Sequence, residues 1–504
     1  MITETKMDLK FEDGQCEDAQ EELAQLQRWV AQAAQRAAAF DEVERHLFRK
    51  MLEIGRHMVG QFLALIGPGD MGESVALEGS GVARRWPEQQ SRRLVNVFGE
   101  FAIPRWVYGS RPGQKIEWVP TDQRLQLPES DLSYLLQEWD QLLGVEHAFA
   151  MVGETLQAIL GLKQSVDTLE RGNQQMAQAA AGFRQQQPAP LPEQEKQLLV
   201  VSEDNKGVPM VRPVVATPPG IHRKKGEKAN KKQMACIGVA YTVDPHPRTP
   251  DELVTTLFRE APRLKQSPPK ASQKRYWASL SREEDGKVIR AQDEVFQHLR
   301  EEVQARRQPG HTLLHLCDGQ HSLETDGRKY LPKDAVDILD LMHVLPRLWE
   351  AAQLFHAEGS HEATEFMRKR LSDVLAGRLS RVIGFLRGMG TRKKLIGERR
   401  KRLDRLCEYL KKNKHRMRYD EYLKAGYPIA TGVIEGACRH VIKDRMERTG
   451  MRWKVPGAQA MLQLRVIRTH GDWGVFQEYR IKQETLRLYP HANATENIPW
   501  PIAA

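Results

Sequence analysis

The sequence contains few cysteines, and none of them is paired at a metal-binding spacing. Five cysteines occur in 504 residues, and no two are separated by only two positions: Cys16, Cys236, Cys317, Cys407 and Cys438. This pattern gives neither a disulfide framework nor a cysteine-based zinc element. We therefore expect a protein of the reducing cytoplasm.

Long apolar runs are also missing. No stretch approaches eighteen consecutive apolar residues, and the opening segment MITETKMDLKFEDG lacks the apolar centre of a signal peptide. We expect a chain that is neither exported nor inserted in a membrane. Its 504 residues exceed the usual size of one domain several-fold, which predicts two to four domains.

Positive charge exceeds negative charge in this sequence, and the charged residues are unevenly distributed. Lys and Arg total 76 against 66 Asp and Glu, a formal net charge of +10. Residues 1–30 carry 3 basic and 8 acidic side chains, whereas residues 391–420 carry 13 basic and 4 acidic ones. A concentrated cationic stretch favours the phosphate backbone of a nucleic acid, although a solvated helix face is the simpler alternative.

Apolar periodicity predicts a helical first third with a small β-sheet inside it. Residues 15–66 have helical spacing, the stretch from Leu94 to Val119 alternates as in an antiparallel sheet, and helical spacing returns from Ser130 to Arg184. The Gln- and Pro-rich segment 182–196 then predicts a linker and a domain boundary.

The next region has the pattern of a mixed α/β sheet of the ribonuclease-H type. LLVVSED and VPMVRPVVA predict two strands around a tight connection, and MACIGVAYTV predicts a third. A helix near 283–306 precedes the apolar run LLHLC. Helical spacing from Ala335 to Leu410 then predicts an all-α insertion into this core.

Three acidic residues stand where active-site carboxylates are expected. Asp204 ends LLVVSED, Asp318 ends the run HTLLHLCD, and Glu435 lies in the helix-like segment GVIEGACRH. Carboxylates are the oxygen ligands that Mg²⁺ and Mn²⁺ prefer, and two such ions can promote displacement at a phosphodiester. Glu203 is an alternative to Asp204, because strand alternation points the two to opposite sides.

Other residues could support the metal site or contact DNA, and each could instead have a purely structural role. Asp340 and His343 meet at a spacing of three on a helix, which suits metal binding or helix capping equally. Glu435 and Arg439 could instead form a salt bridge within one helix. The further candidates for contacts to DNA are Arg445, Arg452, Trp453, Lys224 and Lys225. For Trp453, burial in the core is favoured over stacking on a base.

Four segments together resemble the DDE transposases of bacterial insertion sequences, specifically the ISKra-type family. They are LLVVSEDNKGVPMVR, LLHLCDGQHSLE, AVDILDLMHVLPRLWEAAQLF and ATGVIEGACRHVIKDRMERTGMRW, and the resemblance covers roughly residues 94–485. The chain departs from it in having Asn205-Lys206-Gly207 after the first Asp, where many relatives have Gly, and in lacking the Cys-rich element before the small sheet.

The resemblance implies a metal-binding triad of Asp204, Asp318 and Glu435, with Mg²⁺ or alternatively Mn²⁺. It implies that Asp340 and His343 support the site, and that the partners are terminal inverted repeats and target DNA. Such a protein would act in the bacterial cytoplasm, associated with the nucleoid.

We expect five segments and a homodimer or higher homo-oligomer. The segments are a helical arm (1–93), a β-sheet and helical DNA-end-binding region (94–185), the first part of the catalytic domain (186–343), the helical insertion (344–430), and the glutamate helix with the C-terminal region (431–504). The arm is the expected dimer interface, since two DNA ends must be brought together. The alternatives are a ribonuclease-H-fold DNA nuclease and a domesticated, non-catalytic DNA-binding protein.

Overall fold

The computed structural model of the chain describes residues 7–8, 14–77, 81–109, 116–211, 232–260, 268–430, 432–448 and 450–490. Lys224 and Lys225 lie outside these ranges. The chain divides into two compact units, Met1–Phe183 with Trp473–Ala504, and Arg184–Asp472. Both contain helices and strands, so the protein is of the mixed α/β class.

The first unit contains two helices in place of the continuous one predicted over 15–66. Helix α1 spans Gly14–Gln35 and α2 spans Phe40–Ile66. Between them Ala37 adopts a positive φ of 52°, a left-handed conformation that interrupts a helix. Apolar periodicity alone continues across this break, because the residues on both sides keep helical spacing.

The antiparallel strands expected from about Leu94 to Val119 are present, but they belong to two sheets and begin earlier, at Ser74. One sheet has the order β1-β5-β4 and the other β2-β3-β6-β7. The strands are β1 (Met7–Asp8), β2 (Ser74–Leu77), β3 (Gly81–Arg85), β4 (Gln90–Asn96), β5 (Gly99–Arg105), β6 (Tyr108–Gly109) and β7 (Ile116–Trp118). Phe101 of β5 packs with Leu63 of α2 in the core of this unit.

Helices complete the first unit, as the spacing from Ser130 onward predicts. They are α3 (Pro120–Arg124), α4 (Tyr134–Gly144), α5 (Phe149–Leu160), α6 (Val166–Ala177), α7 (Ala180–Gln186) and the C-terminal helix Trp473–Leu488. Ser133 and Ser165 cap α4 and α6 by accepting backbone N–H bonds. The C-terminal helix packs into this unit through Phe476, whose ring centroid lies 5.3 Å from that of Phe183.

The second unit is built on a mixed sheet of five strands, in the order β10-β9-β8-β13-β14. From the first strand of this sheet to its last, the helices and strands of the unit are β8 (Leu198–Pro209), β9 (Lys232–Val243), α8 (Pro250–Leu257), β10 (Ser272–Leu280), β11 (Arg282–Glu284), β12 (Lys287–Ile289), α9 (Ala291–Arg306), β13 (Thr312–Cys317), α10 (His321–Tyr330) and β14 (Val336–Leu339). Strands β8, β9 and β10 are antiparallel neighbours, whereas β13 and β14 run parallel to β8.

Three details of this sheet differ from the sequence-based expectation. LLVVSED and the start of VPMVRPVVA form one continuous strand, because β8 stays paired with β9 from Leu198 to Pro209. Residues 336–339 form a strand in a stretch expected to be helical, since β14 pairs in parallel with β13. The helix expected near 283 begins at Ala291, after the hairpin of β11 and β12.

Helices follow β14 for most of the remaining second unit, in agreement with the expected all-α stretch. They are α11 (Leu341–Phe355), α12 (His361–Leu375), α13 (Leu379–Arg392), α14 (Gly397–Lys412), α15 (Tyr419–Lys424), α16 (Gly432–Ala437), a π-helical segment (Cys438–Lys443), α17 (Asp444–Met446) and α18 (Val455–His470); short 3₁₀ turns lie at Pro192–Gln194 and Lys414–Arg416. Within the described ranges, none of the helices combines the length and apolar character needed to cross a membrane.

Candidate active site

Asp204 lies in β8, and Asp318 and Asp340 directly follow the neighbouring parallel strands β13 and β14. The register pairs His315 with Val201 and Cys317 with Leu339. Continued along the strands, the same offsets bring Asp318 level with both Asp204 and Asp340. The backbone N–H of Asp340 donates to the carbonyl of Cys317 at 2.9 Å, which extends the pairing of β13 and β14. Three carboxylates are thus brought to the same edge of the sheet.

The neighbours Glu203 and Asp204 point to opposite sides of β8, as strand alternation requires. Glu203 is buried, and its Oε1 lies 2.7 Å from Nε2 of His315 inside the core. Asp204 is only partly buried. Asp204 lies within β8 and not at its end, because the strand continues in its pairing with β9 after its described pairing with β13 stops at Val201.

Asp318 has an environment that disfavours its negative charge. Burial raises the pKa of its carboxyl, and the nearby charge of Asp204 raises it further. A backbone N–H bond from Gln320 at 2.7 Å and the proximity of His343 oppose the rise. A cation between Asp204 and Asp318 would relieve this repulsion, as happens where carboxylates share a metal ion.

Asp340, His343 and Glu435 form a group that can hold a metal ion. One ligand atom from each lies within 4.8 Å of the others. Asp340 is buried at the start of α11 and caps it by accepting from the backbone N–H of Met342 at 2.7 Å. His343 and Glu435 are exposed, so a cation could reach them from solvent. Both readings of the Asp340–His343 spacing, capping and ligand binding, are compatible with this geometry.

The glutamate helix approaches Asp204 as well. After Glu435 in α16 the helix continues as the π-helical segment, a geometry that is frequent at functional sites. Cys438 in that segment is buried, and burial together with the neighbouring charge of Asp204 raises the pKa of its thiol to about 12. Cys438 therefore stays a neutral thiol against the Asp204 carboxylate.

The residues proposed to contact DNA have different environments. Arg439 and Arg452 are exposed, and Arg439 lies 3.6 Å from Asp444. Arg445 is buried with its guanidinium 4.9 Å from the ring centroid of Trp453. Trp453 is buried too, as favoured from its sequence, and donates to the carbonyl of Met446 at 3.2 Å. In this structure neither Arg445 nor Trp453 presents its side chain to a ligand in solvent.

The turn after Asp318 is fixed by residues that the sequence does not indicate. Arg416 is buried and donates to the carbonyl of Asp318 at 3.2 Å and to Sγ of Cys317 at 3.1 Å. The Tyr409 hydroxyl leaves no room for a side chain at Gly319. The Asp-Gly pair is recognisable as a turn, but its partners follow about ninety residues later, too far for any local pattern to reveal them.

A buried histidine links the strands beneath the carboxylate row. The two ring nitrogens of His315 lie 2.7 Å from Glu203 and 2.7 Å from Asp337. Burial lowers the pKa of His315, but the flanking acids outweigh burial and raise it well above its usual range. Burial raises the pKa of Glu203, so Glu203 competes with His315 for the same proton. The pKa of Asp337 is instead lowered by its bond to His315. We assign the proton to His315, because it faces two carboxylates.

The basic stretch 391–420 forms an amphipathic surface. In α14 the apolar residues Leu403, Leu406 and Leu410 are buried. Several arginines on the other side are engaged in ion pairs, for example Arg400 with Asp404 at 3.0 Å. The lysines of the stretch are exposed: Lys393, Lys394, Lys401, Lys411, Lys412 and Lys414. Solvent-facing lysines can contact phosphates without losing buried partners.

The fold and site together define an α/β protein with a carboxylate-rich candidate metal centre at one edge of a mixed sheet. Comparison with known proteins found neither a protein-family model nor a curated protein sequence that matches the chain.

Proposed function

We propose that the protein is a DDE transposase that binds terminal inverted repeats and catalyses metal-dependent DNA cleavage and strand transfer. The observation that carries the proposal is that Asp204 lies in β8 while Asp318 and Asp340 directly follow the neighbouring strands β13 and β14, with Glu435 close to Asp340. We further propose that the sheet is of ribonuclease-H-like type. Its order, with three antiparallel strands followed by two parallel ones, is compatible with such a core.

In this proposal Asp204, Asp318 and Glu435 hold Mg²⁺ or Mn²⁺, and Asp340 and His343 complete the ligand set. Bound ions would supply activation of the attacking oxygen and stabilisation of the leaving one. The protein supplies the geometry. Arg416 holds the backbone of Asp318 at 3.2 Å, and the Gln320 N–H orients its carboxylate at 2.7 Å.

DNA would lie over exposed cations of the second unit. The lysines of 393–414, with Arg439 and Arg452, suit contacts to the phosphate backbone, which give affinity without sequence information. Binding through such contacts weakens as salt concentration rises, because the counterions released on binding must be released into a more concentrated solution.

An in vitro reaction tests the proposal. The full chain is incubated with a labelled inverted-repeat end, a target duplex and Mg²⁺ or Mn²⁺, the products are separated on a denaturing gel, and binding of the same end is measured by gel shift. Strand-transfer products are expected. Cleavage without joining would replace the proposal with a nuclease, and binding without either reaction would replace it with a domesticated DNA-binding protein.

The imidazole in the ligand group gives a prediction about metal preference. Nitrogen ligands favour transition metals over Mg²⁺, so Mn²⁺ should bind more tightly than Mg²⁺. His343→Ala is expected to weaken Mn²⁺ binding by at least about 10-fold and to reduce the preference of the site for Mn²⁺ over Mg²⁺. Isothermal titration calorimetry of the protein without DNA measures both values.

The matched control is His440→Ala. His440 is also exposed, but it lies 3.2 Å from Asp444 and outside the Asp340, His343 and Glu435 group. Its replacement should leave Mn²⁺ affinity unchanged. Equal Mn²⁺ affinity in the wild type and in His343→Ala would exclude the imidazole from the ligand set.

A further inference from the structure

Helix α2 carries a stripe of exposed apolar side chains. Phe48, Met51, Met58, Phe62 and Leu65 are between 47% and 57% exposed. They recur at steps of three and four residues, the spacing of a helix–helix seam, with one gap at position 55. A neighbouring face of α2 is already used, because Leu63 packs in the core of the first unit.

Phe98 fills the gap in the stripe. Position 55 is a glycine, and a side chain there would collide with the ring of Phe98. Phe98 is itself 37% exposed, so its ring closes the space between Met51 and Met58 while still facing solvent. We call the six side chains the α2 stripe: Phe48, Met51, Met58, Phe62, Leu65 and Phe98. All six belong to the first unit.

We propose that the α2 stripe is covered by the α2 stripe of a second copy of this chain. Half-exposed side chains of this size offer roughly 100 Å² each, so the stripe presents roughly 500–600 Å² of apolar surface. A standard interface takes about 800 Å² per partner, of which about 60% is apolar. The stripe therefore supplies the apolar area that one side of a stable dimer needs, and its size is at the upper end of the apolar patches found on monomers, which are often functional.

A twofold axis beside the middle of the stripe would pair the α2 stripe of one copy with the α2 stripe of the second copy. With the two helices antiparallel, Phe48 faces Leu65 of the partner subunit, and Met51 faces the partner subunit's Phe62. Antiparallel packing opposes the helix dipoles, and it keeps the acidic first turn, with Asp41 and Glu42, away from its own copy. This inference does not depend on the proposed function, because it uses neither the carboxylates nor DNA.

Sedimentation equilibrium of the full chain tests the interface. The wild type should be a dimer, and Phe48→Glu combined with Phe62→Glu should raise the dimer dissociation constant by at least about 100-fold, because four charges enter one apolar interface. Val288→Glu is the control, since Val288 is 78% exposed in the other unit. A monomeric wild type, or a double variant that dimerises like the wild type, would overturn the proposal.

A second measurement uses the wild type alone and so avoids any effect of substitution on folding. Met51 and Met58 are 55% and 52% exposed, and Met151 of α5 is 50% exposed. With brief peroxide treatment and mass spectrometry, oxidation of Met51 and Met58 should slow several-fold as protein concentration rises, whereas Met151 should be unaffected. Equal behaviour of the three methionines at all concentrations would contradict a dimer through the stripe.

Discussion

Replacing Asp318 with asparagine is expected to reduce DNA cleavage and joining by more than about 100-fold while leaving DNA-end binding nearly unchanged. The amide keeps the shape of the side chain and can still accept the Gln320 N–H bond, but it removes a charged metal ligand. Loss of a group that merely orients a ligand costs 10–100-fold, so loss of a ligand itself should cost more. Strand-transfer gels measure the reaction, and gel shifts with the same labelled end measure binding.

The matched control is Asp334→Asn. Asp334 is a mainly exposed aspartate of the same unit that pairs with Arg307 on the surface. It should retain wild-type joining. If Asp318→Asn joined DNA at the control rate, Asp318 would have to be removed from the proposed triad, and the row of aspartates would lose its central member.

Loss of activity in Asp318→Asn should not come from unfolding. Burial and the charge of Asp204 raise the pKa of Asp318, so the carboxylate is held at a cost to the folded state. The neutral amide removes that repulsion. Without metal, the variant should melt at the same temperature as the wild type or higher, which is the usual exchange of stability for function at an active site.

Apolar pattern was a good guide to the strands that carry the site. MACIGVAYTV lies within β9 and LLHLC within β13, since buried strands are continuous apolar runs. The short strand β14 was missed because its four residues run directly into the periodic helix α11. The turn expected near Asn205 is absent because pairing with β9, a tertiary effect, keeps β8 extended.

Side chains that contact the site but lie far from it in sequence could not be found from the apolar pattern. Asp340 and His343 are neighbours in sequence, so their joint approach to the site was open to prediction. Arg416 and Tyr409 reach the Asp318 turn from a helical region that begins only after another strand, and no local spacing encodes that contact. A polar residue in the apolar run LLHLC was the one visible sign of the buried chain around His315.

Replacing His315 with glutamine is expected to destabilise the protein by about 3–5 kcal/mol, because it leaves buried Glu203 without its cationic partner. Urea unfolding measures the loss. His298→Gln is the control, since His298 is 45% exposed beside Glu301 and should change stability by less than about 1 kcal/mol. Adding Glu203→Gln to the His315 variant should recover part of the loss, because the stranded charge is removed.

The pH dependence of the same variant gives the sign of the His315 charge. The folded-state pKa of His315 is raised above the value of about 6.5 expected in the unfolded chain. Its contribution to stability is therefore complete below about pH 6.5 and is lost as pH rises through the folded-state pKa. The difference in unfolding free energy between wild type and His315→Gln should shrink over that range. A difference that grows with pH would mean that His315 is neutral in the folded protein, and the proton would then belong to Glu203.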